Sequence, residues 1–584
     1  MSLKTRIVPT FGCLTSNDQT ALTSLTATGS MLVVMRPIVL IILGLVLCYF
    51  PVVELGFVSD DNGLITHPVT GIAQQSIESI FSGDLWHFQE SQSGYYRPLM
   101  MLSLMADHTI FGDWSAGYHL HSLLWHLITV CLLFGVLRRP FGDARASIAT
   151  TLFAFHPLLS EQVCFVSARN DSMALALGLA AVALTMPTKA SSMRCLLASV
   201  LAAGACLSKE IGVVVLCLLP MMDWARKKNG GWHRYSALAA GAVGWLYIRE
   251  MLGPGLLHSP PMNGAALMQT ERITVLGTLL SKLVWPFPLT DSMHIAYLTS
   301  PAIPAVAACL FLLVFLFAFG SRWAQVGALF AIVSLVPGLM AIASRFLIGE
   351  RYLALPLLGI CFGLAAVLPK KTHASWAILL ALPLAWSSHQ RISDWTSDLT
   401  LAAAAHSAQP TAYTASWLGH EQLRAKQPEK AMALFDAATK ANPPTCDFAG
   451  EWIKTARTIH GGVSGVEVGQ TLWDRKCAAA PGVRGEWAHS FLEAGDFEMA
   501  QRILSPPPKQ CDESVVVPFV VLAQLEGDQQ AAQRCIQSSG STISEKEEQI
   551  ARLVEKFRLM QKTDPTAPLP DNAPDAPPSA GAQP

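Results

Sequence analysis

Charge is scarce in this chain. Asp, Glu, Lys and Arg make up 14% of its 584 residues, whereas a soluble protein carries about 25%, so an ordinary cytosolic protein is excluded. There is no basic surplus either: 41 Lys and Arg meet 42 Asp and Glu, and a nucleic-acid partner is not indicated. With 51% hydrophobic residues, the chain as a whole is too apolar to be disordered or collagen-like. The first 30 residues are polar and rich in Ser and Thr and lack the apolar core of a cleaved signal peptide. They read as part of a cytoplasmic stub, residues 1–36.

The charges that are present are unevenly placed. From position 390 onward there are 42 in 195 residues, and the first 389 hold the other 41. The first two thirds therefore read as membrane-embedded, at 37–390, and the last third as a water-soluble domain, at 395–562. After that, 563–584 is a Pro- and Ala-rich tail that cannot repay the entropy of folding.

The stretch 37–53 is apolar and uncharged, about the minimum that spans a hydrocarbon core. Further apolar runs centre on 117–137, 146–155, 172–186, 194–207, 211–224, 235–252, 301–319, 324–343, 352–368 and 374–387, giving about 11 spans. The apolar segment 273–285 is short and interrupted by Lys282, so it reads as a re-entrant or interfacial helix. With the N-terminus inside, Arg138, Arg139, Arg145, Lys189, Arg194, Arg226, Lys227, Lys228, Arg234, Arg322, Lys370 and Lys371 all fall in inner loops, as the positive-inside bias requires. The long loops 54–116 and 253–300 and the C-terminal third then lie outside. Nine of the 13 cysteines sit in the first 389 residues, mostly as small hydrophobes. The other four, Cys446, Cys477, Cys511 and Cys535, allow two disulfides in an oxidising compartment, with three connectivities, or four free thiols.

Within the soluble third, Leu418-Gly419, Ala431, Phe435, Ala438 and Pro443 fall at the offsets of a tetratricopeptide repeat. Weaker copies run through Phe491, Gly495, Phe497 and Ala500 and through Phe519, Ala523, Gly527 and Ala532. Three such hairpins suffice for a short solenoid, whose expected role is docking a protein partner.

The outer loops hold five polar clusters, and ionisable residues near the hydrocarbon are functional candidates. Asp60 and Asp61 follow the first span; neighbouring carboxylates repel, so one holds a proton or the pair calls for a divalent cation. The same Asp-Asp-Asn-Gly is also good turn chemistry. Next come Tyr95, Tyr96 and Arg97, suited to a phosphate or to anchoring in the headgroup layer. Then follow His156 with Glu161 and the run Ser167-Ala168-Arg169-Asn170-Asp171, then Ser208-Lys209-Glu210, then Arg345 with Gly349-Glu350-Arg351-Tyr352. Each could be an ion pair closing a helix end; all five fall on one face, which favours a single polar cavity.

In order along the chain, Asp60-Asp61, Tyr96-Arg97-Pro98-Leu99, Gly117-Tyr118-His119-Leu120, His156-Pro157 with Glu161, Ser167 with Arg169 and Asp171, Leu207-Ser208-Lys209-Glu210 and Glu350-Arg351-Tyr352-Leu353 make a set. That set resembles the transmembrane and tetratricopeptide-repeat family of protein O-mannosyltransferases and their bacterial relatives, within the GT-C glycosyltransferase superfamily. The resemblance runs over about positions 37 to 445. It implies an all-α polytopic membrane helix bundle that moves a sugar from a polyprenyl-phosphate donor to a protein or glycan acceptor on the periplasmic or lumenal face, usually with inversion. It also implies roles: Asp60 as general base or acceptor-orienting carboxylate, with Asp61 assisting or binding a divalent cation. Arg97, Arg169, Lys209 and Arg351 would surround the lipid phosphate. Tyr96, His156, Glu161, Asp171, Glu210 and Glu350 would orient those groups or contact the sugar. The short repeat domain departs from the eukaryotic members, so their acceptors are not carried over, and it favours a bacterial inner membrane with a periplasmic C-terminal domain over an endoplasmic reticulum membrane. The competing functional reading is a catalytically inactive membrane scaffold that recruits envelope proteins through its repeats.

Overall fold

A computed structural model describes residues 37–563, apart from 70, 87–93, 228–229, 256–268, 288–292, 295–302, 346, 442–444, 447, 481, 506–510 and 540–543. The expected N-terminal stub, nearly all of the Pro- and Ala-rich tail and much of the second outer loop lie outside the described residues. The fold is all-α. Among the described residues the extended elements are two two-residue strands, Met293–His294 and Leu347–Ile348. The chain divides into two compact units, the first of Met1–Phe287 with Ser300–Ser397 and the second of Pro288–Thr299 with Asp398–Pro584.

The first unit holds α1 (Pro37–Glu54), α2 (Ile77–Ser82), α3 (Pro98–Phe111), α4 (Ser115–Phe141), α5 (Asp143–Ala154), α6 (Glu161–Cys164), α7 (Arg169–Thr185) and α8 (Ser192–Ser208). After these come α9 (Gly212–Leu216), α10 (Leu218–Arg226), α11 (His233–Met251), α12 (Gln269–Val284), α13 (Ile303–Ala318), α14 (Arg322–Arg345), α15 (Ala354–Val367) and α16 (Trp376–Ile392). Their ends follow local chemistry. The Ser191 side chain caps the N-terminus of α8, and Gly142, at φ 81°, ends α4 beside Arg138 and Arg139.

Among the described residues three helices are long and apolar enough to cross a membrane, Pro37–Glu54, Ser115–Phe141 and Glu350–Val367. Three shorter apolar ones are Ser192–Ser208, Ile303–Ala318 and Arg322–Pro337. Leu40, Leu43 and Leu47 of α1 are 59, 55 and 76% exposed, and Leu196, Val200, Phe311, Leu379 and Leu382 are exposed in the same way. So much bare hydrocarbon on helix faces suits lipid and not water; the chain is a membrane protein. Inside the bundle, α14 and α15 approach backbone to backbone. A Cβ on Gly327 would lie 2.3 Å from the Gly363 nitrogen, so only glycine allows this separation.

One expected span is corrected. The run 211–224 is not one helix but α9 and α10, broken at Cys217. Pro220 supplies the reason, because its ring clashes with the carbonyl four residues back, at Leu216.

The second unit holds α17 (Asp398–Ala408), α18 (Ala412–Arg424), α19 (Pro428–Lys440), α20 (Ala449–His460), α21 (Gly462–Asp474), α22 (Val483–Ala494), α23 (Phe497–Ile503), α24 (Glu513–Glu526), α25 (Gln529–Ser539) and α26 (Ser544–Thr563). Among the described residues α18 to α25 form four consecutive hairpins, flanked by α17 and α26, one more hairpin than the sequence pattern suggests. In the first, a Cβ on Gly419 would meet the Phe435 ring at 2.7 Å, so the small residue and the aromatic fill one gap. The additional hairpin is α20 with α21, where Gly469 gives room to the Trp487 ring. Of the open alternatives for the cysteines, Cys446 bonds Cys477 and Cys511 bonds Cys535. Each disulfide joins the open end of one hairpin, α20–α21 and α24–α25.

Candidate active site

Two charged dipeptides organise the outer-loop residues. Lys209 and Glu210 lie in the short link between α8 and α9, and they reach in different directions. Lys209 Nζ donates to Asp171 Oδ2 at 2.5 Å. Glu210 accepts from the Tyr96 backbone N–H and from Arg97 Nε, each at 3.2 Å. Glu350 and Arg351 open a 3₁₀ turn ahead of α15 and divide the work likewise. The Arg351 guanidinium and its backbone N–H donate to the two oxygens of Glu161, at 2.5 and 2.9 Å, while Glu350 lies 3.7 Å from Lys282 of α12. Each dipeptide thus ties two further segments to itself.

The cations also share aromatic faces. Arg97 lies 4.4 Å over the Tyr95 ring, Arg351 5.5 Å over Phe165, and Lys209 and Arg351 both over Tyr352, at 5.7 and 5.8 Å. Arg97 commits only Nε, and Arg351 one terminal nitrogen and its backbone N–H, to partners among the described residues. Both guanidiniums therefore keep N–H donors for a ligand. The Asp171 Oδ1 atom is buried with no partner among the described residues.

Asp60 and Asp61 have different environments. Asp61 is fully buried, and its oxygens accept from the Ser167 hydroxyl and N–H, at 2.5 and 2.7 Å, and from the Val166 N–H at 3.2 Å. Burial pushes its carboxyl up to about 7, the Ser167 and Val166 bonds restrain the rise, and Asp60 adds to it. Asp60 itself is exposed, and its charge is felt by Asp61 and by Arg351.

Burial also works on the cations. It pulls Lys209 down to about 8 against the attraction of Asp171. Burial opposes the charge on Arg97 as well, but Glu210 outweighs it and holds that guanidinium above its ordinary value.

Three residues of the expected set sit elsewhere. Arg169 is completely buried in a network of its own, with Asp107, Ser122, His121, Ser103 and the Tyr118 carbonyl. Each of its three nitrogens has a partner and the side chain is sealed, which corrects its expected place around a phosphate. Tyr96 is also buried, with its hydroxyl on the Phe81 carbonyl, so it braces the loop and does not face a ligand. His156 caps the 3₁₀ turn Pro157–Leu159 by accepting from the Leu158 N–H, and burial lowers it to about 3, so it is a neutral structural group. For a divalent cation the fit is poor. Asp61 is occupied by three donors, and among the described residues no group of three or more His, Cys, Asp or Glu side chains could hold a metal ion.

Several residues to which the sequence assigned no role belong to these networks. Lys282 joins through Glu350, the Tyr352 ring contacts two cations, and Asp107 pairs with Arg169 and with His121. For Asp107 and Lys282 the available signal was an ionisable residue inside an apolar stretch.

The fold and these networks define an all-helical membrane protein with a charged, aromatic-lined cluster at one set of helix ends. No family model matches the chain, and no solved structure does. Among curated proteins it resembles protein O-mannosyltransferases. Mouse and human "Protein O-mannosyl-transferase TMTC3" are 30 and 27% identical over 155 residues, 25% of this chain and 16% of theirs. The "Protein O-mannosyl-transferase F38B6.6" of Caenorhabditis elegans is 22% identical over 386 residues, 61% of this chain and 55% of its own. The chain therefore spans between 16 and 55% of the length of these relatives.

Proposed function

We propose that the protein is a membrane glycosyltransferase that moves a sugar, mannose by analogy with its relatives, from a polyprenyl-phosphate donor to a protein or glycan acceptor. The observation that carries this reading is the convergence of Arg97, Lys209 and Arg351, with donors left uncommitted on both guanidiniums, beside the exposed carboxylate of Asp60. A phosphate leaving group gains negative charge as the glycosidic bond breaks, and pre-placed cations in a water-poor site stabilise that gain. Asp60 takes the acceptor's proton.

We place the reaction on the outer face, in a bundle of about 11 spans with the C-terminal unit in the same compartment as the site. The two disulfides support this sidedness, since such bonds persist in the periplasm or the endoplasmic reticulum lumen. The hairpin stack reads as a tetratricopeptide-like domain that docks a protein partner.

The test is transfer from polyprenyl-phosphate mannose by the purified protein and by Asp60→Asn. The parent transfers, and the variant loses about 10²- to 10⁴-fold in kcat. A parent inactive with every polyprenyl-phosphate sugar sinks the reading, and an unaltered variant sinks the role of Asp60.

A further inference from the structure

Tyr352 is the residue the cluster is built around. Its ring lies under both the Lys209 ammonium and the Arg351 guanidinium, and it interacts electrostatically with Arg97, Asp171 and Tyr95. Three other tyrosine hydroxyls of this unit offer a contrast, while that of Tyr49 is also unpartnered among the described residues but is sealed in the core, away from any cation ring contact. Tyr96 donates to the Phe81 carbonyl, Tyr118 to the Gly112 carbonyl and Tyr235 to Asp223. The Tyr352 hydroxyl has no hydrogen-bond partner among the described residues. The ring is half-buried, and an amphipathic ring held in place by two cations with its hydroxyl uncommitted suits contact with a ligand.

Resting on the glycosyl-transfer reading above, we infer that Tyr352 is a catalytic residue whose hydroxyl donates a hydrogen bond to the departing phosphate. In that step the bond between the anomeric carbon and the phosphate oxygen breaks, and its electron pair stays on the phosphate. The acceptor oxygen bonds the anomeric carbon and its proton passes to Asp60. The donor is a phosphodiester with one negative charge, and the product is a phosphate monoester with one more. A hydrogen bond to that oxygen is stronger at the transition state than in the ground state, so it acts on kcat and not on KM.

Tyr352→Phe removes the hydroxyl and keeps the ring, its packing and both cation contacts. In the polyprenyl-phosphate mannose assay the variant loses about 10- to 100-fold in kcat, the effect of one hydrogen bond to a charged group, with KM within about threefold and an unchanged melting temperature. Tyr352→Leu, which also removes the platform under the two cations, falls further and raises KM. A Tyr352→Phe enzyme with the parent's kcat overturns the inference, as does one whose only change is a higher KM. In both cases an active parent leaves the glycosyl-transfer reading standing, whereas an inactive parent removes the ground for both.

Discussion

Two buried arginines of the membrane unit, Arg169 and Arg234, differ in kind from Arg97 and Arg351. Arg234 is fully buried, with donors on Asp223 and the Thr185 carbonyl, and Tyr235 donates to the same Asp223. Arg169 is equally closed. By contrast, the side chains of Arg97 and Arg351 are 12 and 24% exposed, and each keeps donors uncommitted among the described residues. A closed network pins helices; an open one is shaped like a site that awaits an anion. Charge does not separate the two kinds, but exposure does: Arg169 and Arg234 are sealed, so even the unpartnered Nε of Arg234 is out of a ligand's reach.

The sharpest way to break this comparison is Arg169→Met. It leaves Asp107 buried without its main partner, which costs about 3–5 kcal/mol, so the purified variant melts far below the parent or fails to accumulate. A variant that keeps the parent's melting temperature and loses only activity would move Arg169 into the open class.

The second is pH. Lys209 is held near 8, below its ordinary 10.5. It is charged below pH 8 and discharges as pH rises through that value, so kcat/KM for the lipid donor falls above about pH 8. Because arginine stays charged, Lys209→Arg lacks that descending limb, and an identical limb in both would assign it to another group. For stability the sign is separate: a lysine with a lowered folded value contributes stability above its unfolded value, lost as pH falls through about 8. Asp61, raised to about 7, contributes stability at low pH that is lost as pH rises through 7.

The smallest expected effect is at the far end of the open cluster. Lys282→Glu sets two carboxylates together and lowers transfer about tenfold, and adding Glu350→Lys restores most of it, a coupling typical of one ion pair. No recovery in the double variant means that Lys282 acts by contacting the ligand and not by holding Glu350.

Much of the fold was legible because apolar runs and basic loops are local signals. The charged dipeptides at 209–210 and 350–351 stood out for the same reason. Pairing was not legible, since it depends on which distant helix arrives. Nothing in Ser-Ala-Arg-Asn-Asp says that Arg169 turns to Asp107 while Asp171, two residues on, turns to Lys209. The break at Cys217 could have been read from Pro220, and the α20–α21 hairpin from Gly461, Gly462, Gly465 and Gly469. Both were hidden, the first under continuous hydropathy and the second under a repeat template that expects Ala and Phe. The cysteine partners needed the hairpins first, because only their return brings residues 446 and 477 to 5.4 Å between Cα atoms.

Those two bonds also set an order of events for biogenesis. Each closes a hairpin at its open end, so neither can form until both helices of that hairpin have met in an oxidising compartment. In the orientation proposed above, the last of the spanning helices must have left the cytosol before α20 and α24 can be locked. The stack then matures after the bundle, and a chain stalled during insertion would be marked by four reduced thiols.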